Sequence, residues 1–262
     1  MKILAVGFFD REELDIGYHN HDIDYPKDAM EFIERMWQNR LSSGTRLFDA
    51  KLFRVTSVKL LNQKLCISLE NTSYRNFVGS RPDSFLSKFG ADLTANPLSV
   101  GTLLATSDNY LMIGKRRMDL DFNPGKYSTI AGMMDRDKDI KNGTPDPFMA
   151  VIRELHEEKN IKWDDVKDLV CLGAVYSQEY NQTYLPFYAR LMLSREEVNS
   201  RTPLENEFDE FFFIDTNDST LSNWIKAHSD ASSETFIANL LLFGGHEFGN
   251  DWRVQVTRSL GL

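Results

Sequence analysis

The helix predicted at residues 148–158 constrains the fold of this chain most, because one short segment has to meet two different environments. Its apolar residues recur at i, i+3, i+4 and i+7, and the face that they form needs a hydrophobic core: Phe148, Val151, Ile152 and Leu155. Three carboxylates, those of Glu154, Glu157 and Glu158, fall within one turn on another side. Three like charges in one turn repel one another unless a cation lies among them.

This acidic turn has two interpretations. Mg²⁺ prefers hard oxygen ligands and usually shares them with substrate phosphates, so a rigid acidic turn mounted on a core predicts a magnesium site. The alternative is a solvated helix face without chemistry, since Glu-rich helices are common. The residues before the helix favour the metal site, because they add a strand at 110–117, a loop at 119–126 and a turn at Gly132.

The order of strand, glycine turn, acidic loop and acidic helix resembles the Nudix hydrolases. Their signature is a Gly, a spaced Glu and then R-E-U-x-E-E-x-G-U, where U is apolar. Six residues fit the second half of that signature: Arg153, Glu154, Leu155, Glu157, Glu158 and Ile161.

Three departures from the signature fall outside the acidic turn. Asn160 stands where the family has glycine, and asparagine tolerates the left-handed conformation at a helix C-terminus. Residues 135–144 form a polar insertion that lengthens the stretch from Gly132 to Arg153. The spaced Glu is missing, because Pro145 falls at its distance from Arg153.

A second resemblance lies nearer the N-terminus. Residues 37–40 (W-Q-N-R), 47–55 and the string T-S-Y-R-N-F-V-G at 72–79 are similar to the N-terminal region of the UDP-glucose pyrophosphatase branch of Nudix enzymes. The two resemblances cover most of residues 37–215. They imply an α/β protein with a Nudix-type α/β/α sandwich around a mixed sheet, preceded by a smaller α+β subdomain. The subdomain is predicted at 1–96 and the Nudix domain, with a C-terminal helix, at 97–262.

The local patterns predict the elements of both domains. Strands are expected at 2–9, 51–60, 64–70, 98–106, 110–117, 168–178, 183–193 and 209–214, and helices at 26–41, 83–89, 219–228 and 234–243. Residues 10–25 are expected to form a polar loop rich in His and Asp, and the chain is expected to end irregularly after Gly244-Gly245. In the first helix, the predicted core stripe consists of Met30, Ile33, Met36, Trp37 and Leu41.

Composition excludes several classes of protein. The net charge of −9 argues against a nucleic-acid-binding surface, which normally carries a basic stripe. No apolar run approaches the length of a transmembrane helix, so no membrane partner is expected. Cys66 and Cys171, the two cysteines of the chain, lie in apolar strand-like runs and predict reduced thiols in a cytoplasmic protein.

The Nudix resemblance implies hydrolysis of a nucleoside diphosphate linked to another group, with Mg²⁺ or Mn²⁺ as cofactor. It implies catalytic roles for Arg153, Glu154, Glu157 and Glu158. The three carboxylates would hold the metal together with the backbone carbonyl of Ala131, and Arg153 would orient a carboxylate. Glu179, Glu205 and Glu207 are candidates for a general base.

For the substrate, the resemblance implies a nucleotide sugar cleaved to UMP and a sugar 1-phosphate. The predicted substrate-binding residues are Tyr74, Arg75, Arg116, Arg117, Gln178 and Tyr180. Uracil needs a stacking partner and amide-like hydrogen bonds, for which Tyr74, Tyr180, Gln178 and Asn76 are the candidates. The protein is expected to act as a monomer or a homodimer.

Two alternative functions stay open at this stage. Ala131-Gly132-Met133 resembles the loop of the ADP-ribose branch, so ADP-ribose or another nucleoside diphosphate derivative is an alternative substrate. A catalytically silent Nudix fold that binds a nucleotide or a regulatory partner is the other, because of the missing Glu and the insertion. His19, His21, Asp22 and Asp24 share one segment, but a solvated loop is the simpler interpretation than a second metal site.

Overall fold

The computed structural model of the protein describes residues 1–43 and 47–261. Its strands are β1 (Lys2–Phe9), β2 (Leu14–Asp22), β3 (Lys51–Leu61), β4 (Lys64–Ser73), β5 (Leu98–Ala105), β6 (Tyr110–Arg116), β7 (Tyr127–Ser128), β8 (Ile130–Met133), β9 (Ile140–Lys141), β10 (Thr144–Pro145), β11 (Val166–Ser177), β12 (Gln182–Leu191) and β13 (Phe208–Asp215). Its helices are α1 (Lys27–Ser42), α2 (Tyr74–Ser80), α3 (Asp83–Phe89), α4 (Pro147–Lys159), α5 (Arg195–Ser200), α6 (Asp218–His228), α7 (Glu234–Glu247) and α8 (Asn250–Ser259).

A mixed eight-stranded sheet forms the centre of the molecule. Its order is β1-β11-β12-β5-β6-β13, with β7 paired to β6 and β8 paired to β5. Only β12 and β5 pair in parallel, and the other neighbours are antiparallel. The predicted α/β class with a mixed sheet is therefore confirmed.

Helices cover both faces of this main sheet, and the side chains of β5 show why. Every residue of β5 is buried, as expected for a strand with both faces covered. Leu98, Val100 and Leu104 pack into the core that contains α4. Leu103 and Ala105 pack into a second core that contains α7. The alternation with a period of two thus separates the two layers of the sandwich.

The N-terminal residues divide between two sheets. β1 joins the main sheet beside β11, while β2, β4 and β3 form a separate three-stranded sheet. The division at residue 96 stays a prediction, but residues 2–9 lie in the main sheet rather than with the rest of 1–96. The prediction of a loop at residues 10–25 was wrong, because Leu14–Asp22 pairs in parallel with β4.

The reason for the error on β2 is its weak apolar signal. Leu14 is buried and Ile16 and Tyr18 are half-buried, but the residues between them and after them are exposed and polar. The inserted residues 135–144 also contain structure, since β9 and β10 pair as a short hairpin. In α1, Ile33 and Trp37 are buried as predicted, whereas Met30 is 57% exposed.

The C-terminal end is helical rather than irregular. Gly244 lies inside α7, and the helix continues to Glu247. A Cβ at Gly244 would overlap the ring of Trp252 on α8, so the glycine permits a close contact between two helices instead of ending one. Among the described residues, no helix combines the length and the apolar character that crossing a bilayer requires.

Candidate functional site

A cavity of about 410 Å³ lies beside the N-terminal half of the main sheet's central strands and the acidic turn of α4. The residues that line it are Leu47, Phe48, Ala50, Leu52, Tyr74, Ser99, Arg116, Phe122, Asn123, Ser128, Ala131, Gly132, Met133, Asp135, Lys138, Arg153, Glu154, Glu157, Gln182, Tyr184, Glu205, Glu207 and Thr235. We call Glu154 and Glu157, together with the buried Glu158 that follows them on α4, the acidic wall, and Ser99, Gln182 and Tyr184 the neutral wall.

The acidic wall is held by a helix with a well-defined beginning and end. Asp146 caps α4, because its carboxylate accepts from the backbone N–H groups of Phe148 at 3.0 Å and Met149 at 3.3 Å. Pro147 occupies the first turn, where its fixed φ suits a helix start. Asn160 adopts the left-handed conformation at the C-terminus, with φ of 53°. Asparagine thus does here what the signature glycine would do.

Arg153 connects the acidic wall to the inserted hairpin. Its Nε and Nη2 donate to the two carboxylate oxygens of Asp139 at 2.9 and 2.7 Å, a two-pronged pairing. Its Nη1 donates to Glu154 at 2.6 Å and to Glu157 at 3.0 Å. Asp139 is 1% exposed and also accepts from the backbone N–H of Asp135 at 2.8 Å. The insertion therefore supplies a buried carboxylate that fixes the guanidinium.

Burial disfavours the charged form of two carboxylates in the acidic wall. Desolvation raises the pKa of Glu154 to about 7, although the adjacent Arg153 opposes the shift. Desolvation together with the charges of Glu154 and Glu207 raises the pKa of Glu158 well above its usual range. Glu158 is 2% exposed, and its Oε2 has no hydrogen-bond partner in the described part of the chain. The charge of Arg116 lowers the pKa of Glu158 but does not cancel the rise.

These features fit a divalent cation, although the side chains are not arranged around one. In residues 1–43 and 47–261, no group of three His, Cys, Asp or Glu side chains is arranged to hold a metal ion. Glu154 and Glu157 point their oxygens at Arg153 instead. The unpartnered buried oxygen of Glu158 and the hard-oxygen donor set are nevertheless what Mg²⁺ or Mn²⁺ selects.

Comparison with known proteins supports the family that this turn suggests. No family model matches the chain. Over 218 residues, the chain is 27% identical to uridine diphosphate glucose pyrophosphatase NUDT22 from Homo sapiens, covering 71% of this chain and 72% of that protein. The mouse protein of the same name is 27% identical over 195 residues, which are 64% of this chain and 63% of the relative. Nudix hydrolase 9 from Arabidopsis thaliana is 24% identical over 151 residues, which are 51% of this chain and 45% of that protein.

The chain is similar to members of the Nudix superfamily. It resembles the branch that contains the human and mouse relatives, and it spans about two thirds of their length. Among solved structures, a mutT/nudix family protein from Listeria innocua overlaps 57% of this chain and 92% of that protein's chain, with 14% identity and a TM-score of 0.42.

Two further carboxylates lie in the same cavity. Glu207 accepts from Arg116 Nη1 at 3.0 Å, and Arg116 also donates to the backbone carbonyl of Phe122 at 3.1 Å. Glu205 is exposed, and its backbone N–H donates to the carbonyl of Glu157 at 2.8 Å, which holds this residue beside the acidic wall. The third predicted candidate for a general base, Glu179, lies outside the cavity and pairs with Lys126 at 3.4 Å.

The two N-terminal residues predicted to bind substrate, Tyr74 and Arg75, face different surroundings in the structure. Tyr74 lines the cavity, and its hydroxyl donates to Asp121 at 2.9 Å. Arg75 is exposed and faces another surface, where it lies 3.5 Å from both Asp49 and Glu34. The structure therefore brings Tyr74, but not Arg75, to the acidic wall.

The other predicted substrate-binding residues divide in the same way. Arg116 is buried and lines the cavity, whereas Arg117 pairs with Asp119 at 2.8 Å outside it. Gln178 is exposed and does not line the cavity. Tyr180 does not line the cavity. Its ring packs on the ring of Phe122, which does, with 3.9 Å between the two centroids. Ala131, the predicted carbonyl ligand, lines the cavity beside Gly132.

Sequence reasoning missed several residues of the cavity, of which Asp139 and the neutral wall matter most. Asp139 lies in a polar insertion whose register the signature does not define, so no spacing pointed to it. Ser99 and Gln182 are buried polar residues at the beginnings of two strands. Polar residues at strand starts give no signal in a sequence until the strands are paired.

Proposed function

We propose that this protein hydrolyses the diphosphate bond of a UDP-sugar in the presence of a divalent cation, giving UMP and a sugar 1-phosphate. The observation that supports the proposal best is the composition of the cavity. One side is formed by the acidic turn of α4, where burial raises the pKa of Glu154 and Glu158, and another side is neutral and polar. A nucleotide sugar carries the same two kinds of group, an anionic diphosphate and uncharged ends. The names of the mammalian relatives agree with this substrate class.

Glu154, Glu157 and Glu158 would hold the cation, with the carbonyl of Ala131 as a further ligand. When bound, the ion supplies the positive charge that the diphosphate oxygens require. Arg153 keeps the carboxylates in place, since its other side is fixed by Asp139. A Cβ at Gly132 would overlap Glu154 Oε1, so glycine at this position gives the carboxylate room beside β8.

The remaining charged residues of the cavity have separate roles in the proposal. Arg116 provides a buried guanidinium that can contact a phosphate oxygen, although Glu207 already neutralises part of its charge. Glu205 is the proposed general base, because it lies in the cavity and, among the described residues, no cationic side chain pairs with its carboxylate, unlike those of Glu207 and Glu179. A carboxylate in that position can accept the proton of an attacking water.

A substrate panel tests the proposal. Purified protein is incubated with UDP-glucose, UDP-galactose, ADP-glucose or ADP-ribose in Mg²⁺, in Mn²⁺ and in chelator, and the nucleotide products are separated. We expect UMP from both UDP-sugars, little cleavage of ADP-ribose, and no turnover in chelator. Efficient cleavage of ADP-ribose without cleavage of UDP-glucose would contradict the proposed substrate, and turnover that survives chelation would contradict the role of the cation.

A further inference from the structure

The neutral wall contains one buried acceptor that the protein leaves unused. Gln182 is the first residue of β12, is 4% exposed and lines the cavity. Its Oε1 has no hydrogen-bond partner in the part of the chain that the structure describes. An unpaired buried amide oxygen is costly, and native structures place such groups where a ligand or water can satisfy them.

The orientation of the Gln182 amide follows from the hydrogen bonds around it. Ser99 Oγ lies 3.3 Å from the carbonyl oxygen of Thr183, which can only accept, so the hydroxyl donates to it. The same hydroxyl lies 3.0 Å from Gln182 Nε2 and therefore accepts from that nitrogen. Since Ser99 fixes the nitrogen on its side, the oxygen is the atom that stays available. A reversed amide would have to compete with Thr183 for the single hydroxyl proton of Ser99.

A donor lies on the same face of the strand. Tyr184 is two residues from Gln182 on β12 and also lines the cavity. Its hydroxyl oxygen accepts from Asn239 Nδ2 at 3.3 Å, and its proton has no acceptor among the described residues. Burial raises the pKa of Tyr184, so the hydroxyl keeps its proton. A Cβ at Gly101 would overlap this hydroxyl, so glycine gives it room.

We propose that Gln182 and Tyr184 form the subsite for the uracil base, with Gln182 Oε1 accepting from the imide N3–H and Tyr184 donating to a uracil carbonyl. The assignment rests on the proposed function for the identity of the base. An acceptor and a donor held in fixed positions by the protein select a ligand whose own donors and acceptors also have fixed positions. Sugar hydroxyls rotate and would satisfy either orientation of the amide, whereas the edge of a base cannot. The amide held by Ser99 therefore points to a base rather than to the sugar.

Binding of UMP, measured by calorimetry without turnover, tests the subsite. UMP is compared with N3-methyl-UMP, which lacks the imide proton, on the wild type and on Gln182→Met, a variant of similar shape without amide atoms. We expect the wild type to bind UMP about tenfold more tightly than the methylated nucleotide, and Gln182→Met to lose most of that preference. Gln182→Glu, which keeps an acceptor, should retain the preference.

Two controls separate this effect from general damage. Gln255→Met changes an exposed glutamine on α8, outside the cavity, and it should leave both affinities unchanged. Inhibition by glucose 1-phosphate, which has no base, should be the same in the wild type and in Gln182→Met. Thermal melting on the same samples shows whether each variant is folded.

The outcomes distinguish the subsite from the function. If the wild type hydrolyses UDP-glucose but Gln182→Met keeps its preference for UMP over the methylated nucleotide, the subsite is wrong and the function stands. Weakened inhibition by glucose 1-phosphate with unchanged UMP binding would move Gln182 to the sugar and overturn the assignment. Failure of the wild type to cleave UDP-glucose overturns both proposals, and failure to bind UMP while UDP-glucose is cleaved overturns the subsite alone.

Discussion

The acidic wall and the neutral wall line the same cavity, but the chain builds them in different ways. The acidic wall comes from five consecutive positions of one helix, Glu154 to Glu158. The neutral wall comes from β5 and β12, whose contacting residues Ser99 and Gln182 are 83 positions apart in the chain. The acidic wall can be recognised from a short stretch of the sequence, whereas the neutral wall exists only after β5 and β12 have paired in parallel. A local motif can thus indicate the chemistry of a site without indicating its specificity.

The two walls also differ in how well their polar groups are satisfied. The neutral wall is paired almost throughout, and Gln182 Oε1 and the proton of Tyr184 are its available groups within the described residues. The acidic wall contains buried like charges, and burial raises the pKa values of Glu154 and Glu158. Substitutions in the acidic wall should therefore affect turnover strongly and leave stability unharmed, whereas those in its supports should affect both.

The largest effect is expected from Glu158→Gln. The change keeps the shape of the side chain but removes a charge from the proposed cation site, so kcat/KM for UDP-glucose should fall by more than about 100-fold. The apparent affinity for Mg²⁺ should weaken as well. Glu196→Gln, which changes an exposed acid on α5, is the matched control and should retain the wild-type rate. Unaltered activity of Glu158→Gln at limiting Mg²⁺ would show that the acidic wall is only a buried structural feature.

The same variant makes a prediction about stability without metal. Because the pKa of Glu154 is raised to about 7 from 4.5, the folded protein holds this proton more tightly than the unfolded chain does. The stability of the metal-free protein should therefore fall as the pH rises through that interval. Glu158→Gln removes one of the two repelling charges, so melting in chelator should occur at a higher temperature and depend less on pH.

The second largest effect is expected from Asp139→Asn, which weakens the support of the acidic wall. The change removes the charge that pairs with Arg153, so the free energy of unfolding should fall by about 3 kcal/mol. Catalysis should fall by about 10-fold to 100-fold, as for other residues that orient metal ligands. Asp137→Asn in the same insertion is the control, because Asp137 is 63% exposed and forms a surface ion pair with Lys51. Equal effects of the two substitutions would contradict the role of Asp139.

Asp139 also shows where prediction from the sequence reached its limit. The apolar stripe of α4 and the spacing of its three carboxylates are local patterns, and they predicted this helix and its acidic turn. The partner of Arg153 could not be found in that way, because the insertion forms the β9–β10 hairpin and delivers a carboxylate from 14 positions away instead of the expected spacing. β2 was missed for a related reason, since its strand identity depends on β4 and not on its own polar sequence.

A smaller effect is expected from Gly132→Ala. The backbone there does not need glycine for its conformation, but a Cβ would overlap the carboxylate of Glu154. Because Arg153 holds that carboxylate, it cannot move freely, and kcat/KM should fall by about fivefold with a loss of stability of about 1 kcal/mol. Gly17→Ala in β2 is the control, since the nearest atom to its added Cβ is 3.9 Å away. An equal change in kcat/KM for both variants would show that the position beside Glu154 has no special role.

The smallest effects are expected at the N-terminal segment, where adjacent residues face different surroundings. Arg75 is exposed and lies 3.5 Å from Asp49 and from Glu34, and ion pairs of this kind contribute between about 0 and 1 kcal/mol. Arg75→Ala should therefore leave kcat/KM within about twofold of the wild type.

Tyr74→Phe keeps the ring that lines the cavity but removes the bond to Asp121, so it should raise KM by about fivefold with little change in kcat. The test is to measure kcat, KM and the melting temperature of Arg75→Ala and Tyr74→Phe. A larger loss of kcat/KM from Arg75→Ala than from Tyr74→Phe would mean that the exposed side of this segment, and not the side in the cavity, contacts the substrate.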